Sequence, residues 1–164
     1  MRYWLAVMMA LISLQGLAEE APRTSIALES QGSQTFYIDS MIHGAGEARL
    51  LVDTGSGYSV INQETLTALQ EKGHARYLKS LKGIMANGTS QVVPLYEISA
   101  ITLGEKCVIR NVRAAVFANA ERQILGISTL LKTAPFEISV SPPMLRLTGC
   151  EASNITTALT DNDG

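Results

Sequence analysis

One aspartate of this chain stands in a setting suited to acid–base chemistry. Asp53 follows the apolar run Leu50-Leu51-Val52 and opens the string Asp53-Thr54-Gly55-Ser56. A carboxylate that leaves an apolar strand for a tight loop can be held rigidly and partly dry, and those conditions prepare a carboxyl group for proton transfer. Gly55 allows backbone geometry that a Cβ would hinder. Thr54 and Ser56 bring hydroxyls within reach of a carboxylate or of the loop backbone. As a bare string the four residues read first as a turn, because Asp and Gly are common turn residues. The surroundings have to decide.

Other chemistries find little support. His43 and His74 each lie near glycine, and neither has a metal-ligand partner at suitable spacing, so no metal or cofactor is expected. There is no Gly-x-Ser-x-Gly element for a serine hydrolase and no glycine loop for phosphate. Formal net charge is -2 and the pI about 5.7, with Lys and Arg scattered and 5% aromatic residues. That balance lacks the basic stripe and stacking platforms of a nucleic-acid-binding protein.

The elements around Asp53 are mostly strands. Residues 35–39 alternate with β-formers, residues 48–52 lead into Asp53, and residues 58–61 follow it. His43-Gly44-Ala45-Gly46 is a turn between the first two. Asn62 is placed to cap a short helix whose apolar face is Leu66 and Leu69, and Gly73 closes it. Extended character resumes after Lys82. Residues 83–86 and 89–93 flank Asn87-Gly88, a strong hairpin signal. Residues 96–103, 108–112 and 114–117 are three further strands, followed by Ile124-Leu125-Gly126-Ile127 and a helical turn at 128–132. Residues 136–140 and 144–148 form a last pair around Ser141-Pro142-Pro143. The fold class is therefore all-β with one or two short helices, as a small barrel or sandwich.

The ends differ from this domain. Residues 1–18 begin Met1-Arg2, continue almost entirely apolar to Leu14, and finish Gln15-Gly16-Leu17-Ala18, the form of a secretory signal peptide cleaved after Ala18. The alternative is an uncleaved anchor, for which the run is short against the roughly 20 apolar residues a span needs. The expectation is export, to a periplasm, with no stable membrane insertion after cleavage. Residues 22–149 make one domain, and 150–164 a disordered polar tail containing the sequon Asn154-Ile155-Thr156. Cys107 and Cys150 can pair in an oxidising compartment or remain two thiols; spacing alone leaves this open.

Taken in order, Leu50-Leu51-Val52-Asp53-Thr54-Gly55-Ser56, the Asn87-Gly88 hairpin and Ile124-Leu125-Gly126 resemble the retropepsin-like aspartic peptidases, most of all their exported bacterial branch. The resemblance covers residues 26–148. It implies a closed, single-lobe acid-protease barrel, in which Leu125 and Gly126 pack beneath the catalytic loop and the hairpin serves as a flap. It also implies roles. Asp53, Thr54 and Gly55 would be catalytic: Thr54 would brace the partner's loop and Gly55 let the backbone approach the carboxylates. Ser56 would bond the outer carboxylate oxygen. Met85, Ala86, Asn87, Gly88 and Thr89 would lie at the flap and substrate, with Met85 equally readable as a gap-filling methionine. Ile127-Ser128 departs from the charged residue that retroviral members carry after the second glycine, so their dimer contacts do not carry over.

The family uses two carboxylates sharing one proton, because like charges so close do not both ionise. This chain has one Asp-Thr-Gly; Asp39 lacks the loop context, and Asp161 and Asp163 lie in the tail. The resemblance therefore implies a homodimer that joins two Asp53 side chains and acts on peptide or protein substrates. The alternative is a non-catalytic peptide-binding module that keeps the fold.

Overall fold

The computed structural model describes residues 23–32, 35–84 and 88–152. Strand β3 (Thr35–Ile42) alternates as its sequence requires: Ile38, Ser40 and Ile42 point inward, Asp39 and Met41 outward. The turn after it closes with Ala45 N–H donating to the Ile42 carbonyl, and Gly44 and Gly46 supply its positive φ angles of 98° and 108°. Strand β4 (Gly46–Asp53) returns antiparallel, with Ile38 opposite Leu50.

Six strands close into a barrel. The far edge of β4 pairs in parallel with β9 (Gln123–Gly126), and β9 meets β5 (Ser59–Ile61) at Val60 and Ile124. Strand β5 runs parallel to β8 (Cys107–Val116), which is antiparallel to β7 (Ser90–Leu103). Strand β7 then pairs back onto β3 and closes the ring. Inside lie Ile38, Ile42, Leu50, Ile61, Ile98, Ile101, Leu103 and Leu125, each under 2% exposed. Burying each such side chain stabilises the fold by roughly 1.5–3 kcal/mol.

Outside the ring, β6 (Ala75–Ile84) pairs with the outer half of β7 to form a long hairpin. Helix α1 (Gln63–Glu71) starts where Asn62 Oδ1 accepts the Thr65 N–H at 2.9 Å, and it buries Leu66 and Leu69. A second sheet orders β1 (Thr24–Ala27), β11 (Pro143–Leu147) and β10 (Phe136–Val140), and contributes Ile26, Leu145 and Leu147 to the same core. The short β2 (Glu29–Gln31) lies against β3. Helix α2 (Ile127–Leu130) runs into a 3-10 turn at Leu131–Thr133.

The closed barrel and two short helices agree with the expected fold class. Four details differ. Strand β6 begins at Ala75, where the sequence reading resumes extended structure only after Lys82. Its charges disguise it, and a register shift between Tyr77 and Lys79 breaks the alternation. Leu78 and Leu81 nonetheless pack on a small cluster of Val93, Leu95 and Ala115. Strand β7 is continuous from Ser90 to Leu103, with Pro94 kept in the ladder opposite Ser80, and β8 is continuous through Arg113, whose exposed side chain leaves its pairing with Glu97 intact. The ordered domain also extends beyond 149. Cys150 is bonded to Cys107, with Cα atoms 5.0 Å apart, and β12 (Glu151–Ala152) pairs with Val108 and Cys107. An Arg110–Glu151 ion pair of 2.8 Å spans the same two strands. The expected signal peptide, the flap residues Met85, Ala86 and Asn87, and the Asn154 sequon lie outside the described residues.

Candidate active site

Asp53 is the last residue of β4, and its register partner on β9 is Gly126. The two hallmark segments of the sequence are thus neighbours in one parallel ladder. Beyond Asp53 the chain turns sharply. Gly55 N–H donates to Asp53 Oδ1 at 2.9 Å, and Ser56 N–H to the Asp53 carbonyl at 3.3 Å. A Cβ on Gly55 would stand 3.2 Å from that same carboxylate oxygen, so the glycine leaves room for the bond. The carboxylate is partly buried, whereas Thr54 and Gly55 are exposed. Ser56 does not take the expected role: its hydroxyl donates to the Tyr58 carbonyl at 2.7 Å and stiffens the loop's exit instead.

The loop is tied down from below. Ile127 N–H donates to the Ser56 carbonyl at 2.8 Å and Ser128 N–H to the Gly57 carbonyl at 3.3 Å, so the start of α2 holds both residues. Gly126 lies against the Tyr58–Ser59 backbone so closely that a Cβ would run into the Tyr58 carbonyl and come 2.7 Å from Ser59 N. Leu125, fully buried, anchors this strand in the core. Two residues that the sequence reading passed over complete the arrangement. Ser59 Oγ accepts the Gly126 N–H at 3.1 Å and shares a hydrogen bond of 2.8 Å with Thr129 Oγ1, and both hydroxyl residues are 1% exposed. The only sequence signal for them was a serine inside the apolar run 58–61.

A cleft of about 650 Å³ opens at Asp53, Gly55 and Ser56. Its walls are Val60, Gln91, Phe117, Ala118, Asn119, Ala120, Arg122 and Ile124. Gln91 belongs to the β6–β7 hairpin, so the root of the expected flap borders the cleft, and Gly88 and Thr89 are exposed near its tip. Gly88 has φ +80°, the left-handed geometry of a tight turn. A second cleft of about 680 Å³ lies beside Asp39, Arg49 and the turn at Gly104. It is no smaller, but neither Asp53-Thr54-Gly55-Ser56 nor Ile124-Leu125-Gly126 lines it, so chemistry rather than size selects the first. His43 Nε2 bonds Thr102 Oγ1 at 2.7 Å and His74 Nδ1 bonds Ser99 Oγ at 2.9 Å; both imidazoles join neighbouring segments away from the Asp53 cleft. Among the described residues, no cluster of three His, Cys, Asp or Glu side chains could hold a metal ion.

Comparison with known proteins agrees with this fold. No curated protein matches the chain. The fold is similar to a crystal structure of a retropepsin-like aspartic protease from Rickettsia conorii, with a TM-score of 0.55 and 20% sequence identity over 78% of this chain and 92% of that one. The family model for gag-polyprotein putative aspartyl protease matches residues 38–132, a span that runs from β3 past α2 and contains both Asp53 and Gly126. The chain belongs to that retropepsin-like aspartyl protease family.

Proposed function

We propose that the chain is an aspartic endopeptidase that works as a homodimer, with the two Asp53 side chains as its catalytic pair. One observation carries the reading: each chain offers a single carboxylate, held by the Gly55 N–H at the mouth of a cleft, in a loop whose outer residues Thr54 and Gly55 are bare. A C2 axis through that loop supplies the second carboxylate from an identical surface. Two such groups share one proton. The ionised member takes a proton from water, which attacks the peptide carbonyl. The protonated member donates to the carbonyl oxygen and then assists the leaving amine. In this reading Thr54 braces the partner's loop, and the substrate lies extended beneath the hairpin, bonded through its backbone as an added strand.

We also infer an exported protein. The leader-like start supports this, and so does the Cys107–Cys150 disulfide, which belongs in an oxidising compartment.

Asp53→Asn tests the catalytic assignment. The amide keeps the size of the side chain and its acceptor for Gly55 N–H, so folding and dimerisation should persist while peptide cleavage falls to background. Turnover at the wild-type rate in that variant would remove Asp53 from the mechanism. A wild-type protein that binds peptides and never cleaves them would instead indicate the non-catalytic module.

A further inference from the structure

The cleft beside Asp53 contains a second charged group. Of the eleven described residues that line it, only Asp53 and Arg122 carry charge at neutral pH; the rest are apolar or neutral polar. Arg122 comes just before β9, two residues ahead of Ile124 and four ahead of Gly126. Both Arg122 and Ile124 line this cleft, while Leu125 turns into the core. The neighbouring Glu121 is exposed and does not line the cleft. Arg122 forms no ion pair among the described residues, although Arg49, Arg76, Arg110 and Arg146 each have a carboxylate partner. A guanidinium with no carboxylate partner among the described residues, facing a cleft whose described lining holds no other cation, is placed to meet charge on whatever enters.

We propose that Arg122 is a specificity-determining residue that selects peptides carrying an acidic side chain near the cleaved bond. This deepens the peptidase reading and rests on it for what occupies the cleft. The position follows from the register. Gly126 is level with Asp53, and Arg122 lies four positions before it, just ahead of β9, at most about 13 Å away at the extended rise of about 3.3 Å per residue. An extended substrate advances at the same rate. The guanidinium therefore serves a Glu or Asp roughly two to four residues from the scissile bond. In a dimer the partner's copy of this surface provides the same preference on the other side of that bond.

The test uses short, otherwise neutral peptides with one Glu, Gln or Lys moved through successive positions. Two measurements are made: kcat/KM with the wild-type protein and Arg122→Glu, and affinity with Asp53→Asn, which would hold peptide without cleaving it. Wild type should favour Glu over Gln by about tenfold at the best position, at low ionic strength, and less as salt is raised. Arg122→Glu should invert the order and favour Lys. Each ratio is taken within one protein, so partial loss of folded enzyme does not alter it. A Glu/Gln ratio near one in wild type, or an unchanged ratio in Arg122→Glu, overturns the proposal, as does absence of binding by every peptide. Acidic preference in binding together with no cleavage by wild type would overturn the peptidase reading and leave the role of Arg122 standing.

Discussion

At the scale of single residues, Gly126 is as constrained as Asp53, for a different reason. In the proposed mechanism Asp53 is fixed by what its carboxylate would do. Gly126 is fixed by space: the backbone of Tyr58 and Ser59 occupies the place where a Cβ would project, and backbone cannot move aside as a flexible side chain can. Gly126→Ala should therefore cost about 3 kcal/mol or more, toward the upper end of overpacking effects. The displaced strand would carry Ile127 N–H away from the Ser56 carbonyl, so the active loop would loosen together with the fold. Denaturant titration measures the first effect, and peptide turnover by the remaining folded protein measures the second. Gly57→Ala is a suitable control, because a Cβ there meets nothing within 4 Å and its φ lies outside the left-handed range; its midpoint should stay close to wild type. Equal stability of Gly126→Ala and wild type would contradict the packing argument.

At the scale of elements, what could be read in the sequence depended on how locally each feature is specified. The strand leading to Asp53, the turn at Gly44–Gly46, the Asn62 cap and the Ile124-Leu125-Gly126 strand carry their signals within a few residues, and all appear in the structure. Strand β6 does not, because an edge strand with a bulge and three charged residues in ten has little apolar alternation to show. Ser59 and Thr129 were hidden for another reason: their pairing is made across 70 residues of chain. The disulfide is also non-local, joining residues 43 apart, and its partner strand β12 was hidden in a polar C-terminal stretch. It clamps the start of β8, whereas the cleft lies beyond the other end of that strand at Phe117, roughly 30 Å away for ten residues. Replacing both cysteines by alanine should thus lower stability by about 2–4 kcal/mol and leave kcat/KM nearly unchanged. A reducing agent should lower the denaturation midpoint of the wild-type protein and leave that of the double variant where it is. Loss of activity without loss of stability would place the bridge nearer the chemistry than the fold does.

At the scale of the whole molecule, the central question is how many chains make one active site. The barrel closes within one chain: six strands form the ring around one main core, and the loop at Asp53 takes hydrogen bonds from Ile127 and Ser128 of its own chain. What a single chain lacks is a second carboxylate in the same setting. Folding and catalysis are therefore separable, which makes a mixing experiment decisive. Wild-type and Asp53→Asn proteins, combined in equal amounts and allowed to exchange partners, give homodimers and heterodimers in statistical proportion. If both Asp53 groups are needed, only about a quarter of the dimers retain a complete pair, and activity per dimer falls to about that fraction. If each chain works alone, activity falls only by half. Dilution provides an independent check, because a site shared between two chains disappears as the dimer dissociates. Below the dimer dissociation constant the rate should fall with the square of protein concentration, whereas a monomeric enzyme would lose rate only in proportion. Activity at half in the mixture, with a linear dilution curve, would show that one chain carries the whole site and would require a second catalytic group within it.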